Sequence, residues 1–385
     1  MGLTSWSLLG LLALLTFGCM AATVWGWSRL AKPGPVRAAA RLGVLVGTQV
    51  VVLLTLLTGV NKHYLFYDSW QGLMGAAGGD ARQKQQTGRH HAVAAGNLRD
   101  GRVAASRADL KPRTDLNPAK GKPEKVGRVD YMTIQGVRTG IESEAYVYLP
   151  PQYFQPGYAQ KRLPVALYIA GYPAANRLTW IQNGHIPEEV LNLGKAGKVK
   201  PMIHVMMRPT VHEGWDTECA DVPGGPKVET FFAQDVPEAV MGAYRTARDR
   251  QGWGVAGYSA GGYCAVKLAM LHSDRFVAGA TLGGHFRAIL DTTTRQLYDR
   301  SKELRQRNNL IWRLENLPQP PVSIMVGSAL VGEKTYKDAQ KFMAAARPPL
   351  RVDKVLLPTG GHNFKTFRKY IPPTLEWMSD HLKGE

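Results

Sequence analysis

The chain has 385 residues, with 48 Lys and Arg against 30 Asp and Glu, which gives a formal net charge of +18. Hydrophobic residues make up 44% of it, which excludes a wholly disordered chain, and 24 Pro with 41 Gly exclude a coiled coil or fibre. Three Cys are too few for a disulfide-scaffolded miniprotein. The charge suits an anionic membrane or a nucleic acid, but no base-stacking motif accompanies it, so we expect no nucleic-acid partner.

Two apolar segments stand at the start of the chain, an uncharged one from Leu3 to Trp27 and a second from Leu42 to Val60. Each is long enough to cross a bilayer as a helix, which predicts a transmembrane hairpin over residues 1–62. The residues between them include Arg29, Lys32, Arg37 and Arg41. The positive-inside rule therefore places this loop in the cytoplasm and the rest of the chain outside the cell membrane. A cleaved signal peptide is less favoured, because no basic region precedes the first segment.

The following residues, 63–127, predict a juxtamembrane segment and a flexible tether. From 78 to 127 there are almost no aromatic residues and no sustained apolar period, so this stretch cannot bury enough surface to offset chain entropy. The remainder, 128–385, alternates between strand and helix patterns and predicts one α/β domain with helices on both faces of a mostly parallel sheet.

Short runs rich in Val, Ile and Leu predict the strands of this domain: Val129–Ile134, Glu144–Leu149, Pro164–Ala170, Met202–Met207, Trp253–Ala256, Val277–Leu282, Val322–Val326 and Val352–Leu357. Apolar residues at helical spacing predict the helices between them: Trp180–Leu193, Val236–Arg248, Ala260–Leu271, Thr335–Ala346 and Tyr370–Leu382. The charged stretch from Arg287 to Leu317 lacks a strand. It predicts an excursion over the site, and whether it moves as a lid is left open.

The strongest motif is Gly257-Tyr258-Ser259-Ala260-Gly261, which matches G-x-S-x-G. A predicted strand runs directly into it and an apolar helix runs directly out. This context indicates a sharp turn that raises the serine hydroxyl above the sheet as a nucleophile, with small neighbours that let the chain pass closely. Ser259 is therefore the candidate nucleophile.

The partners of such a serine follow it in the order acid, then histidine. His362 lies in a loop between the last strand and the last helix, which makes it the candidate base. The acid is expected after the strand Val322–Val326, where Glu333 and Asp338 are the candidates. Glu333 is preferred, because Asp338 falls within a predicted helix, where a first-turn acid is favoured by the helix dipole.

Two backbone N–H groups are needed to hold the negative oxygen that forms when a serine attacks a carbonyl carbon. One is expected from Ala260, the residue after the nucleophile. The second is expected in the loop that follows the strand Pro164–Ala170. Tyr172 is the first choice there, because Pro173 has no N–H.

These motifs carry a resemblance to a known family. The part from Val129 to Leu382 resembles the Putative esterase family of α/β-hydrolases, which includes esterase D and the mycobacterial mycolyltransferases. The matching segments are AGYPAA after a central strand, TECADVPGG at 217–225, AGYSAGGYCA at 256–265 and LPTGGHNF at 357–364. The apolar hairpin followed by HYLFYDSW at 63–70 resembles membrane-anchored actinobacterial members.

The resemblance implies an α/β-hydrolase fold facing the cell envelope, with Ser259, His362 and Glu333 as its functional residues. The chain departs from the family in one respect: Ala170-Gly171 stands where the family often has a His-Gly pair at the oxyanion loop. The family acts on varied acyl esters, so it does not name the acyl chain or head group here.

Cys219 and Cys264 both fall in the outer domain, where a disulfide bond between them is permitted, although two simply buried thiols are the open alternative. Cys19 lies in the first apolar segment. No metal-ligand spacing, phosphate loop or dinucleotide motif occurs, so we expect neither metal nor cofactor.

The sequence thus predicts a serine esterase anchored in the cell membrane, with its catalytic domain outside and a lipid or cell-envelope ester as substrate. Two alternatives stay open: an acyltransferase similar to the mycolyltransferases, and a non-catalytic anchored scaffold. The oligomeric state is also left open.

Overall fold

The computed structural model describes residues 5–31, 33–64, 70, 106–174, 176–209, 211 and 214–385. Contacts between Cα atoms divide the chain into two compact units, Met1–Thr87 and Gly88–Glu385.

The first unit contains two long helices, α1 (Trp6–Leu30) and α2 (Pro35–Tyr64). The Thr16 hydroxyl lies 2.8 Å from that of Thr55, and the Thr23 hydroxyl lies 3.2 Å from that of Thr48. The residue numbers of these contacts rise along α1 and fall along α2, so the two helices pack antiparallel. Both are long and apolar enough to cross a bilayer. The predicted hairpin of apolar helices is confirmed.

The second unit is built on one sheet of nine strands: β1 (Arg107–Pro112), β2 (Arg128–Gln135), β3 (Glu142–Leu149), β4 (Val165–Ile169), β5 (Ile203–Met207), β6 (Trp253–Tyr258), β7 (Ala278–Leu282), β8 (Ser323–Val331) and β9 (Arg351–Thr359). Their order across the sheet is β1-β2-β3-β5-β4-β6-β7-β8-β9. β1, β2 and β3 run antiparallel to their neighbours, and β4 to β9 run parallel to one another. The parallel strands therefore all end at one edge, called here the carboxyl edge.

The helices of this unit are α3 (Pro123–Val126), α4 (Thr179–Gln182), α5 (Ile186–Lys195), α6 (Val228–Thr230), α7 (Val236–Ala243), α8 (Ala260–Leu271), α9 (Lys302–Arg307), α10 (Leu310–Asn316), α11 (Tyr336–Ala345) and α12 (Phe364–His381). A π-helical turn, Phe231–Asp235, joins α6 to α7. Single-turn 3₁₀ helices occupy Thr114–Leu116, Pro151–Phe154, Pro156–Tyr158 and Arg250–Gly252.

Both faces of the sheet are covered. Successive side chains of a strand point to opposite faces, and the neighbours Leu167 and Tyr168 accordingly belong to different hydrophobic cores. Helix α8 packs against β6 and β7, and α12 against β7 and β8. Every residue of β4, β5, β6 and β7 is buried, which explains why these strands are apolar at both alternating positions.

The tether prediction is wrong for residues 106–127, where the chain already belongs to the folded unit and residues 107–112 form a strand of its sheet. β1 pairs with β2 over its whole length, from Arg107 opposite Gln135 to Pro112 opposite Asp130. An edge strand exposes most of its side chains, so RADLKP lacks the apolar alternation by which strands are recognised. Residues 71–105 of the predicted tether lie outside the described residues.

Two predicted helices are shorter or interrupted in the structure. The helix predicted over Trp180–Leu193 stops at Gln182 and restarts at Ile186, because Pro187 lacks the N–H that a continuous helix would need. The helix predicted over Val236–Arg248 ends at Ala243. Tyr244 is extended there, and its hydroxyl donates to Asp130 Oδ2 at 3.2 Å.

The last helix begins earlier than predicted, at Phe364 instead of Tyr370. Asn363 supplies the missing signal, since its side-chain oxygen accepts a hydrogen bond from the backbone N–H of Thr366 at 3.2 Å and so caps the helix. This cap holds the loop containing His362 at the carboxyl edge, directly before a rigid element.

Candidate active site

Ser259 occupies a sharp turn between β6 and α8 at the middle of the carboxyl edge. Its backbone has φ 55° and ψ −129°, a conformation that non-glycine residues rarely adopt. The turn passes so close to the neighbouring strand that a Cβ atom on Gly261 would collide with the carbonyl oxygens of Ile169 and Ala170. The Ser259 N–H donates to the Leu282 carbonyl oxygen at 3.2 Å, which fixes the turn against β7.

Three side chains from separate loops meet at this turn in one chain of hydrogen bonds. The Ser259 hydroxyl lies 2.8 Å from Nε2 of His362, and Nδ1 of His362 lies 3.1 and 3.2 Å from the two carboxylate oxygens of Glu333. With Nδ1–H donating to the carboxylate, Nε2 is free to accept the serine proton. The Glu333 side chain is fully buried, whereas that of His362 is 39% exposed, so the histidine is accessible to a substrate.

Glu333 is held by backbone and side-chain donors of its own loop. The backbone N–H of Thr335 donates to its Oε1 at 3.3 Å, and the Thr335 hydroxyl contacts the same oxygen at 3.2 Å. Burial, and then the nearby Glu333 carboxylate, raise the pKa of Tyr370. Of the two acids that the sequence proposed, the structure brings only Glu333 to His362. Asp338 pairs instead with Arg287 at 2.8 Å.

Gly283 is a site residue that sequence reasoning missed. It has φ +66°, and a Cβ atom there would lie 2.9 Å from Glu333 Oε2 and 2.9 Å from a ring carbon of Phe367. Phe367 in turn packs edge-on against the His362 ring, with centroids 5.2 Å apart. Only a glycine lets the carboxylate and this aromatic ring occupy their positions together.

The two expected oxyanion donors belong to segments that flank Ser259. Ala260 is the first residue of α8, where a backbone N–H has no acceptor within its own helix. The loop of Tyr172 runs beside the nucleophile, because a Cβ atom on Gly171 would lie 2.8 Å from that of Ser259. Both residues therefore belong to segments that pass beside Ser259.

A disulfide bond joins Cys219 and Cys264, the pair that the sequence left open, with Cα atoms 5.6 Å apart. Cys264 lies in the second turn of α8, and Cys219 lies in the loop that follows β5. The bond therefore ties that loop to the helix that begins at the nucleophile. Cys19 is a free thiol.

Beside the disulfide lies a buried group of polar residues that the sequence did not single out. His285 Nε2 lies 2.9 Å from Glu218 Oε2, and the His285 ring stacks on Tyr263 at a centroid distance of 4.5 Å. Burial lowers the pKa of His285, but the charge and hydrogen bond of Glu218 and the charges of Asp216 and Asp338 together outweigh burial, so the pKa is raised. Burial, and then Glu218, raise the pKa of Asp216 to about 7. No local pattern indicates this group, because Asp216 and Glu218 meet His285 and Tyr263 from distant parts of the chain.

The charged excursion at 287–317 is attached to α8. The Tyr263 hydroxyl donates to the Asn308 carbonyl oxygen at 2.6 Å, and Lys267 Nζ donates to Asn308 Oδ1 at 2.9 Å. Arg307 binds Glu229 through both of its terminal nitrogens. Burial lowers the pKa of Lys267 to about 8. These contacts give the excursion a fixed attachment at residues 307 and 308.

No group of three or more His, Cys, Asp or Glu side chains within the described ranges is placed to hold a metal ion. The arrangement at Ser259 instead has the elements of nucleophilic catalysis: a hydroxyl, an imidazole that can take its proton, and a carboxylate that orients the imidazole. The mostly parallel sheet and this site together define an α/β-hydrolase with a serine nucleophile, as the sequence predicted.

Comparison with known proteins agrees with this class. Residues 137–377 match the family described as Putative esterase, so the chain belongs to that family. It is therefore a serine hydrolase that acts on esters. An uncharacterised protein of Corynebacterium glutamicum is 22% identical over 302 residues, which cover 72% of this chain and 67% of that protein.

Solved structures show the same fold at low identity. A ferulic acid esterase is 21% identical, with a TM-score of 0.56 over 66% of this chain and 99% of its own. An S-formylglutathione hydrolase from Agrobacterium tumefaciens is 14% identical, with a TM-score of 0.56 over 69% of this chain and 99% of its own. The fluorophosphonate-binding serine hydrolase F of Staphylococcus aureus is 17% identical, with a TM-score of 0.52 over 66% of this chain and 98% of its own.

Replacing Gly283 by Ala is expected to displace Glu333 or Phe367 and to lower kcat/KM for a soluble ester by about 10- to 100-fold, because small misplacements of catalytic groups are costly. Gly197→Ala is the matched control, since Gly197 has φ +70° and a Cβ atom there meets nothing within 4 Å. Steady-state hydrolysis of a chromogenic ester measures both. Equal activity of the two variants would show that Gly283 does not shape the site.

Asp216→Asn is expected to stabilise the fold in a pH-dependent way. The folded pKa of Asp216, about 7, lies above the ordinary aspartic acid value of 3.8, so the wild-type chain loses stability as pH rises from about 4 to about 7. The asparagine variant lacks this loss. Its free energy of unfolding relative to that of the wild-type chain should therefore rise over this pH range and stay constant at higher pH. Urea unfolding at several pH values measures the difference. A difference that does not change with pH would contradict this assignment.

Proposed function

We propose that Ser259, His362 and Glu333 form the catalytic triad of a membrane-anchored esterase outside the cell membrane. The observation that carries the proposal is the unbroken chain of hydrogen bonds from the Ser259 hydroxyl through the His362 ring to the buried Glu333 carboxylate. Family membership supplies the reaction class, and this geometry supports the assignment of roles.

In the first half of the reaction, Ser259 Oγ attacks the ester carbonyl carbon while His362 Nε2 takes its proton. The carbonyl oxygen becomes negative, and the Ala260 and Tyr172 N–H groups stabilise it. His362 then gives the proton to the leaving alcohol oxygen as the carbon–oxygen bond breaks. The alcohol departs and the acyl group remains on Ser259.

In the second half, a water molecule attacks the acyl carbon and His362 takes one of its protons. The bond to Ser259 Oγ breaks, the proton returns to the serine, and a carboxylic acid leaves. Glu333 holds the Nδ1–H tautomer and stabilises the imidazolium form of His362.

Three features support membrane anchoring with the catalytic unit outside. Helices α1 and α2 have the length and composition of bilayer-spanning helices. The basic residues Arg29, Arg37 and Arg41 cluster around the turn between them, which favours a cytoplasmic turn. The Cys219–Cys264 disulfide suits an oxidising compartment. We infer that the substrate is a lipid or cell-envelope ester.

Ser259→Ala is expected to abolish labelling by a fluorophosphonate and to lower kcat by about 10⁴-fold or more, because the nucleophile is gone. Glu333→Gln should lower kcat by about 10³-fold, since a glutamine cannot stabilise the imidazolium form. Ser328→Ala and Asp338→Asn are the matched controls and should keep both labelling and turnover. Unchanged labelling of Ser259→Ala would overturn the proposed nucleophile.

The proposed topology predicts which cysteines a membrane-impermeant maleimide reaches in intact cells. In a Cys19→Ala background, a cysteine replacing Gly197 should be labelled, because the catalytic unit lies outside. A cysteine replacing Gly34, in the turn between α1 and α2, should be labelled only after the cells are permeabilised. The reverse pattern would place the catalytic unit in the cytoplasm.

A further inference from the structure

The exposed apolar side chains of the catalytic unit are concentrated at one edge of its sheet. Across the described part of residues 106–385, six large apolar side chains are highly exposed: Leu110, Val137, Leu290, Leu317, Leu330 and Val331. Four of these six lie at the carboxyl edge, namely Val137, Leu290, Leu330 and Val331. Val137 belongs there because β3 runs antiparallel to β5, which brings the β2–β3 turn to the ends of the parallel strands.

Two of the four are part of the chain that leads into the proposed triad. Leu330 is 47% exposed and Val331 is 65% exposed, at the end of β8 and directly before the loop of Glu333. As consecutive strand residues they point to opposite faces of β8, so the end of this strand exposes an apolar side chain on each face. Such exposure is unfavourable, because the transfer of apolar surface out of water lowers the free energy. The position of this pair beside a site that is itself open to solvent calls for an apolar or amphipathic partner.

Positive charge surrounds the same place. Lys334 follows Glu333, and Lys365 lies in the first turn of α12, three residues after His362. Both lysines are exposed, and neither forms an ion pair with any residue in the described ranges. Apolar side chains bordered by lysines are the pattern of a surface that binds an anionic lipid interface.

The chain also joins the catalytic unit at this edge. Arg107 pairs with Gln135, at the carboxyl-edge end of β2. The preceding residue, Ser106, is fixed by a hydrogen bond from its hydroxyl to Asp235 Oδ1 at 2.8 Å and from its N–H to Glu238 Oε2 at 3.1 Å. The first described residue of the catalytic unit, Ser106, therefore lies on the same edge as Ser259.

We propose that the carboxyl edge, through Val137, Leu290, Leu330, Val331, Lys334 and Lys365, docks onto an anionic phospholipid surface. This inference rests on the proposed membrane anchoring and deepens the proposed function. The edge that carries the triad faces the lipid, the apolar side chains enter the interface, and the ester reaches Ser259 from the bilayer.

The test uses the full chain with Cys19→Ala, reconstituted in vesicles that carry a nitroxide on their lipid head groups. An environment-sensitive fluorophore is attached to a cysteine at Val331, and in a matched protein at Leu317. Leu317 is 39% exposed but lies before β8, away from the carboxyl edge. The Val331 label should be quenched strongly in phosphatidylglycerol-containing vesicles and weakly in phosphatidylcholine alone, while the Leu317 label stays unquenched in both.

A charge variant separates docking from simple tethering. Lys334→Gln and Lys365→Gln should each lower the ratio of docked to undocked protein about fivefold, the equivalent of about 1 kcal/mol per lysine. An unchanged emission from the Leu317 label reports that the fold is intact. Equal quenching at both labelled positions, or quenching that is independent of the anionic lipid and of the lysines, would overturn the proposal.

Catalysis is measured separately on a soluble chromogenic ester. Quenching at Val331 without any hydrolysis would support docking and contradict the proposed triad. Hydrolysis that needs Ser259, without quenching at Val331, would support the triad and contradict docking.

Discussion

The site depends on one constraint, the burial of the Glu333 carboxylate against the His362 ring. A carboxylate removed from water is costly unless donors replace the water, and here the Thr335 N–H and the His362 Nδ1–H do so. That hydrogen bond selects the tautomer in which Nε2 can accept the Ser259 proton. The reactivity of Ser259 thus depends on the Glu333 carboxylate, which is connected to it through two successive hydrogen bonds by way of His362.

The parallel sheet makes this constraint possible. Ser259, Glu333 and His362 follow β6, β8 and β9, which end at the same edge although the residues are up to 103 positions apart in sequence. The turn at Gly283, after β7, occupies the space between them and must carry no side chain. The disulfide and the Asn308 contacts hold the surrounding loops to α8, so the helix that begins at the nucleophile also supports the polar groups beside it.

Local signals were sufficient to predict the strand, the sharp turn and the helix around Ser259. The order of the motifs along the chain was sufficient to expect His362 beside it. The acid could not be chosen firmly from sequence, because the choice between Glu333 and Asp338 depends on where β8 ends. The strand continues to Val331, five residues beyond its predicted end, and so places Glu333 at the site. Strand β1 was missed because an exposed edge strand lacks apolar alternation, and the role of Gly283 was missed because Glu333 and Phe367 are far along the chain.

The central claim is that an acyl group is transferred from substrate to Ser259 through His362. The most direct measurement is peptide mapping by mass spectrometry after acid quenching during turnover of a slowly hydrolysed ester. The account predicts one acyl group on the peptide that contains Ser259, formed in the wild-type chain and at a strongly reduced rate in His362→Ala. Turnover with an unmodified Ser259, or an acyl group on another residue that is competent for turnover, would contradict it.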